Sequence, residues 1–324
     1  MILRSFSRLA IGKIFTNKEM KNLFRYSSLF IVVAAVLWGL DGILRRSLYS
    51  LPPITIVFYE HLIGAIILLP IFFLLKKRTR LNRNEWLAII FVSLLSGVLG
   101  TLWFTTALLK VNFMPFSVVF LIQKLQPIFA ITTAVVLLKE KLDKRFIGWA
   151  ALALLSAYFV TFPGGIVNLA TGIGTAIAAL YALGAAFAWG SSTTFSRYTL
   201  LNHSNTQITA LRFFITVPLA FIFVFGMGQT VSFGAVEPSQ FLRLFIIALS
   251  TGMVALWIYY KGLKGTQAKI STILELAFPL TAVLIDMFLY KTFLAPSQYF
   301  AAAALLFAMY RVALLNTQEA ALEA

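Results

Sequence analysis

Apolar residues run along this chain in nearly unbroken blocks, parted by short stretches where Lys, Arg, Gly and Pro collect. A helix needs roughly 20 apolar residues to cross the hydrocarbon core of a bilayer. On that measure the pattern predicts ten spans: Ser28–Leu48, Thr55–Leu75, Glu85–Leu108, Met114–Leu138, Phe146–Phe162, Gly172–Ser196, Gln207–Met227, Phe241–Tyr260, Gln267–Tyr290 and Pro296–Leu315. Strands of a membrane barrel show short alternating segments instead, and these blocks are continuous. The expected fold is an all-α membrane protein.

Composition narrows the class further. Of 324 residues, 60% are hydrophobic and 12% charged, against roughly 45–50% and 25% in soluble domains. The mean hydropathy is +0.90. Disorder needs low hydrophobicity and is excluded. The absence of Cys removes disulfides, thiolate metal sites and cysteine nucleophiles together. The net charge of +16 points to nucleic acid in a soluble protein. Here the charges collect between spans, where basic residues fix topology. Twenty Lys and Arg fall on the side shared by the N-terminus, the even-numbered connections and the C-terminus, against four on the other. That split predicts both termini in the cytoplasm of a cell (inner) membrane protein, and ten crossings satisfy it. Residues 1–27 hold Arg4, Arg8, Lys13, Lys18, Lys21 and Arg25 without signal-peptide spacing. They are expected to form a basic cytoplasmic segment, either a helix lying on the leaflet or a tail.

The two halves repeat each other at an offset near 152 residues. Trp38-Gly39 matches Trp189-Gly190, and Leu102-Trp103 through Lys110 matches Leu256-Trp257 through Lys264. Gln123 aligns with Glu275, and Pro127 with Pro279. Twelve residues then lead from each proline to Lys139 or Lys291. The expected units are residues 28–162 and 172–315, with 316–324 as a cytoplasmic tail. Five spans is an odd number, so the second unit enters the membrane inverted. Such repeats are typical of secondary transporters, with a midplane site that opens to each side in turn.

These features resemble the drug/metabolite transporter superfamily, and its EamA-type branch most closely. The stretch from Leu125-Gln126-Pro127 to Lys139-Glu140-Lys141 is similar to the family's fourth-span signature. In the second half Thr292 stands where the family usually has Glu. The resemblance implies a ten-helix carrier of amino acids, drugs, sugar conjugates or other metabolites.

Ionisable residues inside spans cost roughly 2.5–3.5 kcal/mol at the bilayer centre and usually face the protein interior. Glu60 and His61 in span two, Lys124 in span four and Glu275 in span nine are therefore the first site candidates. Pro127 frees the carbonyl of Gln123, and Glu275 holds the equivalent position before Pro279. Pro127 and Pro279 are the expected helix breaks for gating. Lys124 offers a seat for a carboxylate or phosphate, with Glu60 or Glu275 balancing it. A buried Lys124–Glu60 pair that only fixes packing is the competing role. His61 offers a proton relay or a packing hydrogen bond, and Asp41 with Arg45 an i,i+4 pair that neutralises itself. Arg212 lies near the start of span seven. Trp38, Trp189, Trp103, Trp257 and Tyr260 are candidates for stacking on an organic substrate, with packing between the repeats as their alternative. Trp86 and Trp149 fit an interfacial belt. Spans one, two, four, six, seven and nine are the expected walls.

Motifs of metalloproteases, serine hydrolases and nucleotide-driven pumps are absent, so neither catalysis nor a metal or cofactor is expected. Asn202-His203-Ser204 matches a glycosylation sequon by chance in a cytoplasmic loop. The reading is a monomeric or weakly dimeric secondary transporter of a small polar organic metabolite, anionic or zwitterionic and amino-acid-like. Alternating access is coupled to protons or counter-exchange, in a bilayer and without nucleic acid. The alternatives are an intramembrane enzyme on lipid-linked substrates, with Glu60, His61 and Lys124 as acid–base groups, and a channel.

Overall fold

Helices supply the regular structure throughout residues 17–48, 50–110, 118–167, 169, 174–234, 236–291 and 293–323, which the computed structural model of the chain describes. In chain order they are α1 (Asn17–Arg46), α2 (Pro53–Leu74), α3 (Arg83–Lys110), α4 (Val118–Gln123, then Gln126–Thr133 and Ala134–Leu138) and α5 (Lys144–Thr161). The second half gives α6 (Thr175–Leu200), α7 (Asn205–Gly226), α8 (Pro238–Lys264), α9 (Ala268–Leu274 and Ala277–Tyr290) and α10 (Pro296–Glu323).

Among the described residues eight of these are long and apolar enough to cross a membrane: α2, α3, α4 and α6 to α10. The first carries a shorter apolar run, Tyr26–Asp41. Helix α5 has 18 residues, about 27 Å of rise, and Lys144 and Arg145 open it. Residues 1–16 of the expected basic segment lie outside the described residues. From Asn17 on, its backbone is helical and runs straight into α1.

Local chemistry sets several of the helix starts. Asn82 and Glu85 form a reciprocal capping box at α3, with bonds of 2.8 and 3.0 Å. Asp143 caps α5 at 2.6 Å, and Ser204 caps α7 at 3.2 Å. Proline opens α2, α8 and α10, where its missing N–H costs nothing.

Both halves carry the same irregularities in the same places. Ser93–Gly100 of α3 and Ala248–Gly252 of α8 are wound as π-helix. Helix α4 breaks at 124–125, and α9 at 275–276. The fourth helix of each half ends on a lysine in the left-handed conformation, Lys139 (φ 56°) and Lys291 (φ 53°). The packing repeats too. Helix α1 lies on α8 and α9, while α6 lies on α3 and α4; α2 pairs with α7, and α5 with α10. Exchanging each helix for the one five places along leaves this pairing unchanged, which is the signature of a two-repeat architecture. Close approach needs the paired glycines. A Cβ on Gly39 would meet Thr281 of α9 at 2.7 Å, and one on Gly190 would meet the Gln126 carbonyl of α4 at 2.5 Å.

The largest core gathers Ile31, Phe146, Phe213, Tyr260, Ile273 and Leu305 from both halves. Large apolar side chains also cover the outside, Phe73, Leu180, Phe225, Phe288 and Phe300 among them. So extensive an apolar surface marks contact with lipid.

Candidate functional site

The helix breaks and π-segments converge on one cavity of about 1430 Å³, its open mouth included. Each half contributes at equivalent stations: the later part of its first and third helices, the earlier part of its second and fourth. From the first half come Trp38, Asp41, Arg45, Glu60, His61, Ser96, Phe104, Gln123, Lys124 and Pro127; from the second, Trp189, Ser196, Arg212, Phe213, Thr251, Tyr259, Tyr260, Glu275, Phe278 and Pro279.

Helices α3 and α8 therefore join the walls, beyond the six expected. A π-segment shifts the helix register and leaves backbone groups less tightly paired, a common feature of functional sites. Small residues recur in those segments, Ser93, Ser96, Gly97 and Gly100 in α3 and Ala248, Ser250, Thr251 and Gly252 in α8. They were the available sequence signal.

The ionisable candidates sort into separate groups. Glu60 accepts from Arg45 at 2.6 Å. Arg45 also pairs with Asp41, whose other oxygen takes the Thr251 hydroxyl. The Lys124–Glu60 pair is thus not formed: the short connection between α1 and α2 brings Arg45 to Glu60 first. Nor is the Asp41–Arg45 pair self-contained, since one guanidinium serves two carboxylates. Gly252 leaves the space this cluster needs, since its Cβ would lie 2.7 Å from Glu60 Oε1.

Glu275 sits in the break of α9 and is held by three donors. Tyr259 donates at 2.6 Å and Ser271 at 3.1 Å to Oε1, and Gln126 at 3.1 Å to Oε2. Gln123 donates to Gln126 at 2.8 Å, which leaves its own Oε1 buried without a partner. The two repeats are joined by this chain of amides and a carboxylate at their matching breaks. The Trp38 ring covers Tyr259 at 5.0 Å between centroids.

Lys124 lies in the break of α4 on the cavity wall. Its ammonium meets no hydrogen-bond or ion-pair partner among the described residues. His61 Nδ1 faces the Val57 carbonyl at 2.9 Å, and its ring rests on Phe213 at 4.9 Å. The carbonyl needs a donor, so Nδ1 carries a proton. Trp189 and Tyr260 also line the cavity.

Trp103 and Trp257 do not. Trp103 fills the space left by Gly184 of α6, where a Cβ would come within 2.8 Å of its ring. Trp257 points to α7, donating to the Thr206 hydroxyl at 2.9 Å. The repeat placed these residues on equivalent helices but did not say which face they take. Trp149 packs on Phe307 and Arg311. Asn202, from the sequon, donates to Glu85 at 2.8 Å. The side chains of Arg46 and Asp286, and residue Thr292, lie outside the described residues.

Two residues gain importance from the structure. Arg212 is buried and turns into the cavity, donating to Tyr260 at 3.0 Å and to Ser96 at 2.7 Å. Its only sequence signal was a charge within a span. Glu140 reaches from the end of α4 to the start of α9, accepting from the backbone N–H groups of Ala268 (2.8 Å) and Lys269 (2.9 Å). Arg197 of α6 adds an ion pair at 3.3 Å. This knot sits about one helical turn from Thr272 on the cavity wall, on the side of the membrane where α1 begins.

The EamA-like transporter family model matches residues 25–162 and 176–314, one copy over each half. The chain belongs to the EamA-like transporter family. Among relatives of this EamA-like protein is the riboflavin transporter ImpX of Fusobacterium nucleatum subsp. nucleatum. It is 37% identical over 292 residues, covering 89% of this chain and 98% of that one. A solved crystal structure, 17% identical, superposes with a TM-score of 0.69 over 89% of this chain and 96% of its own. At that identity it speaks for the fold alone. Family and relative together make this EamA-like chain a multi-pass membrane transporter of small metabolites rather than an enzyme.

Proposed function

We propose that the chain carries riboflavin or a close flavin relative across the cell membrane by alternating access, with both termini in the cytoplasm. The observation that carries the reading is the near full-length kinship with a riboflavin transporter, combined with a cavity walled by flat rings. Trp38, Phe104, Trp189 and Phe278 present faces on which a planar tricyclic ring system stacks. Gln123 and Lys124 supply an acceptor and donors for its imide and carbonyls. The matching breaks in α4 and α9 act as hinges between two inversely oriented five-helix units, and the exchange-symmetric pairing lets the units trade conformations. A gradient or counter-exchange supplies the driving force.

A zwitterionic, amino-acid-like substrate is the second reading, favoured by the presence of both charge signs in the cavity. It is weaker, because every cavity carboxylate already has partners. The test is flavin fluorescence with purified protein in nanodiscs. Saturable binding of riboflavin, weakened about fivefold or more in the Trp38→Ala or Trp189→Ala protein, is the expected result, because losing one large ring contact is worth roughly 1–3 kcal/mol. Stabilisation by an amino acid and none by riboflavin would reverse the preference.

A further inference from the structure

Donors and acceptors in the cavity are unevenly satisfied. The carboxylates of Asp41, Glu60 and Glu275 all receive hydrogen bonds from side chains around them. Of the three Lys and Arg side chains on the wall, Arg45 answers Asp41 and Glu60, and among the described residues the other two lack such a partner. Among the described residues the four ion pairs lie elsewhere than Arg212 and Lys124. Arg212 is 8% exposed, and its Nε is buried with no acceptor. Its two hydrogen-bonded neighbours are neutral hydroxyls, so its charge is solvated but not neutralised.

The hydroxyl directions follow from Arg212 being a donor only. Ser96 Oγ must accept from Nη2 and Tyr260 Oη from Nη1. The Tyr260 hydroxyl then bonds Ser196 at 2.9 Å. No acceptor is placed for the Ser96 proton among the described residues. A buried full charge, a bare guanidinium N–H and an unmet hydroxyl proton thus stand together on the cavity wall. A charged group inside the membrane is kept at high cost and marks a ligand path, and a guanidinium with hydroxyl donors beside it suits phosphoryl oxygens. Riboflavin alone, being uncharged, leaves this charge unanswered.

We propose that Arg212, with Ser96, forms a seat for the phosphate monoester of a phosphorylated flavin, so that the substrate class includes riboflavin 5′-phosphate. The inference rests on the flavin reading above and adds the charge the substrate carries. The ring system stacks among the aromatic walls, and the ribityl chain runs toward α3 and α7. Lys124, across the break of α4, is a second cation within the same cavity.

The experiment measures equilibrium binding of riboflavin and of riboflavin 5′-phosphate to the full chain in nanodiscs, by flavin fluorescence polarisation. The wild type should bind the phosphate ester about tenfold or more tightly than riboflavin, as a charge-assisted contact provides. Arg212→Gln should abolish that preference while leaving riboflavin affinity within about threefold. Ser96→Ala, a milder change, should lower the preference several-fold and serves if the arginine variant does not fold. Riboflavin binding with exclusion of the phosphate ester by the wild type would overturn the proposal and leave the flavin reading standing. Equal loss of both ligands in folded Arg212→Gln would overturn it as well. Should the wild type bind neither flavin, the flavin reading falls. The seat is then read by thermal stabilisation with inorganic phosphate: a shift that Arg212→Gln removes supports it, and no shift refutes it.

Discussion

Removing the Glu140 carboxylate should change which side of the membrane reaches the cavity. Glu140 closes two backbone N–H groups at the start of α9 and pairs with Arg197 of α6. It thereby ties the end of the fourth helix in one repeat to two helices of the other. Losing a helix cap costs roughly 0.5–2 kcal/mol. Losing a partly buried charge at the helix N-terminus costs up to ~2 kcal/mol more. Glu140→Ala therefore weakens the arrangement closed on this side by about 0.5–4 kcal/mol, and ~2 kcal/mol, mid-range, is roughly a 30-fold shift in the equilibrium between the two access states. The equivalent position in the second half is Thr292, which has no carboxylate. The natural chain contains no Cys, so a single reporter can be placed at Thr272 on the cavity wall. Thr272→Cys is labelled with an impermeant maleimide in right-side-out and inside-out vesicles. Glu140→Ala should raise labelling from the side where α1 begins and lower it from the other. A fall in melting temperature with unchanged sidedness would show that Glu140 supports folding only and refute the latch.

Other substitutions probe separate parts of the site. Lys124→Ala should weaken flavin transport tenfold or more in vesicles, because the ammonium has nothing else to hold; unchanged KM and rate would remove it from the site. Glu275→Gln keeps an acceptor for Tyr259 and Ser271 but turns an amide N–H toward the Gln126 amide N–H, and should destabilise by roughly 1–3 kcal/mol, read as a lower unfolding temperature; an unaffected temperature contradicts the network between the breaks. Gly190→Leu forces α6 off α4 and should cost at least about 1–3 kcal/mol. Gly148→Ala, where an added Cβ meets nothing within 4 Å, should be neutral or gain up to ~1 kcal/mol. Equal stability of the two glycine variants would argue against the close packing of α6 on α4.

Much of the architecture was readable from hydropathy because lipid imposes one rule on every span, and from the near-constant offset because both halves fold alike. Trp38-Gly39 and Trp189-Gly190 illustrate how far that goes: the matched pairs sit at matched crossings, on Thr281 and on Gln126. Helix faces were less legible. With apolar residues all round, no amphipathic stripe tells one face from another, so it was not legible that Trp103 and Trp257 pack on neighbouring helices instead of the cavity. Pairing was harder still. Glu60 has several cations within reach in sequence terms, and only the turn between α1 and α2 decides for Arg45. The π-segments that bring α3 and α8 to the cavity follow from helix-to-helix packing, which a run of small residues permits but does not dictate.

Counterflow in proteoliposomes separates an alternating carrier from a pore. Vesicles containing the purified transporter are loaded with unlabelled riboflavin and diluted into a trace of labelled riboflavin. A carrier with one cavity exposed alternately to each side predicts transient accumulation of label above the outside level, suppressed by competing flavin outside. Uptake that only equilibrates, grows linearly with concentration, or matches protein-free vesicles would contradict the account.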